Sequence, residues 1–153
     1  MQCTQVSEDV WTGDQPATED LTKLSKQGIQ AIVNLRQPLE DGDLTSSRDE
    51  GVRARDLGME YLNAPLPKQG ISAAQIDDLR TKLGLLPRPV FIHCESGARS
   101  GAVAMIDKAI ASGWTGEETL NQAKSAGFPC DKPELQEFVR RYVDEHRQSD
   151  AGH

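Results

Sequence analysis

Val90-Phe91-Ile92-His93-Cys94-Glu95-Ser96-Gly97-Ala98-Arg99-Ser100-Gly101-Ala102-Val103 is the stretch on which the reading of this chain turns. A short apolar run ends in a cysteine, a turn passes through Gly97, and an Ala- and Ile-rich segment follows from about Arg99 to Ser112. That is the pattern of a buried strand, a tight loop and a helix. Successive backbone N–H groups in such a turn converge into an anion-binding nest, and the helix N-terminus adds its partial positive charge at the same point. A cysteine placed there is favoured as its thiolate, the nucleophilic form. Arg99 supplies a forked donor able to grip two oxygens of a tetrahedral anion, and Ser100 supplies a hydroxyl for the sulfur or a bound oxygen. The plainer reading makes Cys94 a small buried hydrophobe at a strand end, as free cysteines often are. It leaves Gly97 and Arg99 without a reason.

Working outward, strands and helices alternate. Gln5 to Thr12 reads as an edge strand, and Gly13-Asp14-Gln15-Pro16 turns into a helix over 17–27 that Gly28 stops. Ile29 to Leu35 is a buried strand, followed by a polar loop over 37–45. Ser47-Arg48-Asp49-Glu50 has capping-box spacing and opens a helix that ends at Gly58. Met59 to Asn63 is a further strand. Ser72-Ala73-Ala74-Gln75 is a second capping box, flanked by Ile71 and Ile76 at the spacing of a hydrophobic staple. Thr115-Gly116-Glu117-Glu118 caps a short helix to Ala126, and Pro133 suits the first turn of a last one, with Leu135, Phe138, Val139 and Tyr142 on one face. The expected fold is α/β: one domain over 1–153, ordered from about 5 to 147, with a mostly parallel sheet flanked by helices. Such sheets bind ligands at the carboxyl ends of their strands, where Cys94 falls.

Composition narrows the function. The chain has 153 residues, 37% hydrophobic and 27% charged, which fits one globular core. With a net charge of −7 it lacks the basic footprint nucleic acid demands, although a local donor cluster still suffices for one small anion. Three cysteines, Cys3, Cys94 and Cys130, and three histidines, His93, His146 and His153, are scattered, with no disulfide framework or metal-site spacing. No metal or cofactor is expected. No leader or membrane-length apolar run is seen, so the expected location is cytoplasmic.

The Cys94 stretch resembles the signature loop of protein tyrosine and dual-specificity phosphatases: His-Cys, a loop, then Arg-Ser-Gly. The likeness extends to Gly28–Arg36, similar to an early strand of those domains, and to Tyr61–Leu66, similar to the segment before their general-acid loop. It is greatest to the bacterial phosphatase-like domain found with β-lactamase-fold hydrolases. The resemblance implies hydrolysis of a phosphate monoester, on a small molecule or phosphoprotein, through a cysteinyl-phosphate on Cys94. Arg99 and the amides of Glu95, Ser96, Gly97, Ala98, Arg99 and Ser100 would hold the phosphate oxygens. His93 would orient the loop; read from the residues alone, it is equally a satisfied core histidine.

Two departures keep other readings open. Only four residues separate Cys94 from Arg99, one fewer than in those phosphatases and the same as in rhodanese sulfurtransferases, which carry a persulfide on their cysteine. And Ala64-Pro65-Leu66-Pro67-Lys68-Gln69-Gly70 contains no acid to protonate a leaving oxygen. Asp41 and Asp43 are the substitutes, against their reading as solvated turn residues around Gly42. Glu95 lies in the loop itself, where its charge opposes anion binding. Without an acid the domain would be a weak phosphate-binding module. Arg36 either faces the pocket or makes a structural ion pair; Cys130 reads as structural, and Trp11 and Trp114 as packing. Oligomeric state is not legible.

Overall fold

The computed structural model describes residues 1–38, 46–127 and 132–151. Among these residues five strands and six helices follow in the order β1 (Cys3–Ser7), β2 (Val10–Gly13), α1 (Thr18–Lys26), β3 (Ala31–Asn34), α2 (Ser47–Asp56), β4 (Glu60–Asn63), α3 (Ala73–Leu83), β5 (Val90–His93), α4 (Ala98–Ser112), α5 (Gly116–Ala126) and α6 (Pro133–Ala151). The sheet runs β1-β2-β5-β3-β4. Only β1 is antiparallel to its neighbour; β2, β5, β3 and β4 are parallel. The expected α/β architecture therefore holds, with β5 at its centre.

Alternation along the strands sorts side chains between two helical layers. Ala31, Val33, Val90 and Ile92 point into one cluster with Leu79 of α3, Ile106 of α4 and Val139 of α6. Ile32 and Phe91 point the other way, against Leu21 and Leu24 of α1 and Ala54 of α2. Both faces of β3 and β5 are thus covered, which is why these strands read as unbroken apolar runs. Helix α4 is buried nearly all round over its first three turns, from Ala98 to Ala109, and packs on the sheet and against α5 and α6. A helix apolar on every side has to lie between layers.

One strand expectation needs correction. Gln5 to Thr12 is not a single edge strand: Glu8 and Asp9 turn the chain, with the Ser7 hydroxyl bonded to the Asp9 carboxylate at 3.0 Å, and a β1–β2 hairpin results. β1 takes the edge, and β2 lies inside the sheet beside β5. The Ser72 box is present as expected, Ser72 Oγ accepting from Gln75 N (3.2 Å) and Gln75 Oε1 from Ser72 N (2.9 Å). The other box is shifted: Ser46, not Ser47, caps α2, accepting from Asp49 N at 3.1 Å. This frees Glu50 from the helix end, with consequences for the site.

Helices α3 and α6 are joined by a polar clasp. The Tyr142 hydroxyl donates to Asp77 (2.5 Å) and accepts from Arg80 (3.2 Å), while His146 stacks on the Tyr142 ring at 3.6 Å between centroids and contacts Asp77 at 2.9 Å. Burial first, then the bond to Asp77, pushes the Tyr142 ionisation up to about 12. An unfolded tyrosine ionises near 10. The folded state therefore holds this proton more tightly, so the clasp contributes fully below about pH 10 and is lost as pH rises towards 12. Tyr142→Phe is expected to cost about 1 kcal/mol at neutral pH and to flatten the fall in melting temperature above pH 10. Thermal melts of both proteins across that range check this.

Candidate active site

The parallel register brings Gly13, His93, Asn34 and Asn63 into one row at the carboxyl ends of β2, β5, β3 and β4. Cys94 follows directly. Its parity with Val90 and Ile92 sends the side chain towards α4, and it is fully buried in that cluster. The loop over 94–97 then enters α4, whose N-cap is Gly97 at φ 96° and ψ −7°. This left-handed conformation is one that glycine adopts without a Cβ penalty. It aims the Gly97 N–H at Cys94 Sγ, 3.1 Å away. Ser100 Oγ lies 3.6 Å from the sulfur and within hydrogen-bond reach of the Gly13 and Gly97 carbonyls, at 2.9 and 3.2 Å. Cys94 thus sits at a helix N-terminus with an amide on its sulfur, the arrangement expected of it.

Arg99 is nearly buried, and its Nη1 donates to the Leu66 carbonyl at 2.8 Å and the Leu35 carbonyl at 3.4 Å. Those carbonyls belong to the loops after β4 and β3, so the side chain ties both to the Cys94 loop. Glu95 and Ser96 are exposed, whereas Gly97, Ala98 and Ser100 are buried. Glu95 pairs with Lys68 at 3.2 Å. This brings a cation from the acid-free Pro65–Gly70 segment to the loop rim. Asp41, Asp43 and Cys130 lie outside the described residues. Arg36 takes the ion-pair alternative: it is fully buried, with Nη2 3.7 Å from Glu50. Trp11 and Trp114 are partly buried against the two cores, as packing residues are. Cys3 is partly buried, and burial, then the nearby Asp14 carboxylate, pushes its thiol up.

Beneath the loop lies a group of buried polar residues that the sequence reading did not assemble. His93 has the parity of Phe91 and points towards α2, away from Cys94's side. Its Nε2 is 2.6 Å from Glu50 Oε2, and its Nδ1 is 3.3 Å from the Cys94 carbonyl. Glu50 Oε1 accepts from Gln15 at 2.6 Å. Asn34 bonds Ser47 and Tyr61 at 3.0 and 2.9 Å and accepts the Arg36 N–H at 2.9 Å. Burial, then the Glu50 carboxylate, raises the Tyr61 ionisation well above the ordinary tyrosine range. The Tyr61 ring reaches this position because Gly51 has no Cβ; one built there would lie 2.8 Å from Tyr61 Cδ2.

With this geometry in place, the comparisons with known proteins are specific. The family model "Beta-lactamase hydrolase-like protein, phosphatase-like domain" matches residues 3–111, more than half the chain. The chain belongs to this family. A beta-lactamase hydrolase-like protein of Agrobacterium fabrum is 27% identical over 128 residues, covering 84% of this chain and 30% of that protein. The chain therefore spans less than a third of the length of that curated relative. Among solved structures, the active form of Tk-PTP superposes with a TM-score of 0.75 at 23% identity, covering 94% of this chain and 96% of that one. The core catalytic domain of the PP-IP phosphatase SIW14 from S. cerevisiae, in complex with citrate, gives 0.71 at 17% identity, covering 98% and 90%. These structures share the fold of the phosphatase-like domain. Among the described residues, no helix is long and apolar enough to cross a membrane.

Proposed function

We propose that the chain hydrolyses a phosphate monoester through Cys94 and Arg99. The observation that carries this is the Gly97 N–H held 3.1 Å from Cys94 Sγ at the N-terminus of α4. Amide and helix terminus both present positive partial charge at the point where a phosphate would bind. In the first step Cys94 Sγ attacks phosphorus, an S–P bond forms, and the P–O bond to the leaving group breaks. Loop amides and Arg99 take up charge on the equatorial oxygens. In the second step water attacks phosphorus, the S–P bond breaks, and inorganic phosphate leaves with the thiolate restored. Lys68 at the rim suits an anionic substrate, either a phosphorylated small molecule or a phosphoprotein.

Asp41 and Asp43 are the proposed acids, since they follow β3 in sequence and the carboxyl end of β3 lies beside that of β5, which leads into Cys94. Replacing the acting one by Asn is expected to slow an alkyl phosphate far more than an aryl phosphate. A phenolate leaves readily without a proton, whereas an alkoxide does not; general acid catalysis is worth about 10²–10⁴-fold. Parallel rates on the two substrates check this, and equal, negligible effects would remove both residues from the mechanism.

The four-residue Cys94–Arg99 spacing favours a second reading, sulfur transfer through a persulfide on Cys94. Assaying one preparation with an aryl phosphate, and with thiosulfate plus cyanide, separates the two. Release of phosphate without thiocyanate is expected. Thiocyanate without phosphate release would transfer the assignment to a sulfurtransferase.

A further inference from the structure

A cleft of about 500 Å³ lies between residues 68–71 and the first turns of α6. It is a separate opening from the Cys94 loop, since none of residues 94–99 lines it. Ile71, ahead of α3, and Leu135 and Phe138 of α6 give it an apolar floor, and all three are partly buried against the main core. Both walls are set before anything binds. Gly70 turns the chain at φ 75°, and the Ser72 capping box fixes Ile71 at the start of α3. Phe138 stacks on Tyr142 at 6.0 Å between centroids, and Tyr142 is held in the clasp between α3 and α6. A concave, preformed cavity of this size, apolar with a few polar groups, is the usual form of a small-molecule site. The rim charges are mixed, Lys68, Lys132 and Arg141 against Glu134 and Glu137. Such a rim exerts little net pull on an anion, so apolar area is what the cleft offers. Lys68 joins it to the loop above: it lines the cleft, and its Nζ lies 3.2 Å from Glu95 Oε2. The cleft therefore begins one lysine side chain away from the rim of the Cys94 loop.

We propose that this cleft takes the alcohol portion of the phosphate monoester, so that the substrate class is a small-molecule phosphate ester of an apolar alcohol. The proposal rests on the reading of the Cys94 loop as the phosphate site, and it names what that site selects. A polyhydroxy alcohol would set hydroxyls against Ile71, Leu135 and Phe138, where they find no partners, and that costs free energy. A peptide backbone laid on the same floor would leave its N–H and C=O groups unpaired. An alkyl chain or an unsubstituted ring gains with each carbon it buries there.

Alkylphosphonates test this without turnover, because their C–P bond is not an ester and is not hydrolysed. Calorimetry on the 153-residue chain with methyl-, butyl- and hexylphosphonate is expected to show affinity rising with chain length. The gain from the first to the last should be at least about tenfold, since every added methylene leaves water. In NMR spectra the methyl groups of Ile71 and Leu135 should shift with hexylphosphonate and not with methylphosphonate. Leu135→Trp, which fills the cleft, should abolish the gain and leave the affinity for methylphosphonate within about twofold, because the position lies outside the phosphate site. Affinity that does not rise with chain length, or a rise that survives in a folded Leu135→Trp protein, would overturn the proposal. If that variant fails to fold, the wild-type series and the methyl shifts decide by themselves. Tighter binding of a phosphotyrosine peptide than of hexylphosphonate would overturn it in favour of a protein substrate. Should the gain and the methyl shifts appear while the wild type releases no phosphate from hexyl phosphate, the recognition stands and only the reaction assigned to Cys94 fails.

Discussion

Cys94→Ser is expected to abolish turnover of an aryl phosphate, by on the order of 10⁴-fold or more, while inorganic phosphate still binds. The two halves have separate causes. The donors that would hold an anion are the Gly97 N–H, the loop amides and Arg99, none of which belongs to the Cys94 side chain. The proposed nucleophile does. A serine hydroxyl in the same place lacks an activating base: His93 points to the opposite face of the sheet, and its Nε2 is occupied by Glu50. The shorter side chain of serine also stands further from phosphorus. Phosphate binding is read by calorimetry and turnover by phosphate release. Retained turnover would show that Cys94 is not the nucleophile. Loss of binding together with turnover would show that the loop depends on the sulfur for its shape, as the 3.1 Å contact from Gly97 would then require.

The features legible in the sequence are those fixed by local chemistry. Val90 to His93 and Ile29 to Leu35 read as buried strands because both faces are covered by helices. The Ser72 box is satisfied entirely within one turn, so no tertiary contact can override it. Cys94, Gly97 and Arg99 were visible because strand, turn and helix follow without interruption. The hairpin was not. Val6 and Val10 keep an apolar spacing across Glu8 and Asp9, and only pairing of β2 with β5 breaks the run in two. Glu50 was hidden for a related reason. Ser46 and Ser47 are equivalent caps on paper, and moving the start by one residue turns a capping glutamate into a buried one. A signal was present in the composition of α2. Its buried residues are Glu50, Gly51 and Ala54, and a helix whose inner face offers an acid among small residues is placed to bring that acid against the sheet. The strand parity of His93 and Cys94 then decides which of them it meets.

Arg99→Lys is expected to lower kcat/KM on an aryl phosphate by on the order of 10²–10³-fold, although charge is conserved. The proposed mechanism asks the guanidinium to hold an anion as well as the contacts it makes in the structure. Its Nη1 is spent on the Leu66 and Leu35 carbonyls, at 2.8 and 3.4 Å, which fixes the side chain across the loops after β4 and β3. A planar fork can keep such an anchor while presenting other N–H groups to an anion, because its donors point along fixed and divergent directions. A lysine ammonium is a single centre on a flexible stem. It can bond the carbonyls or approach the phosphate, and either choice forfeits the other. The shorter Cys94–Arg99 spacing sharpens this, since the loop is one residue tighter than in the phosphatases it resembles and leaves the cation less freedom to adjust. The loss should fall mainly on kcat if Arg99 acts on charge developing in the transition state, and mainly on KM if it only binds the ground state. Steady-state kinetics, with melting temperatures to confirm that the β3 and β4 loops remain tied, separate these outcomes. A lysine variant with wild-type kcat/KM would remove Arg99 from the reaction and leave it as a structural tie between three loops.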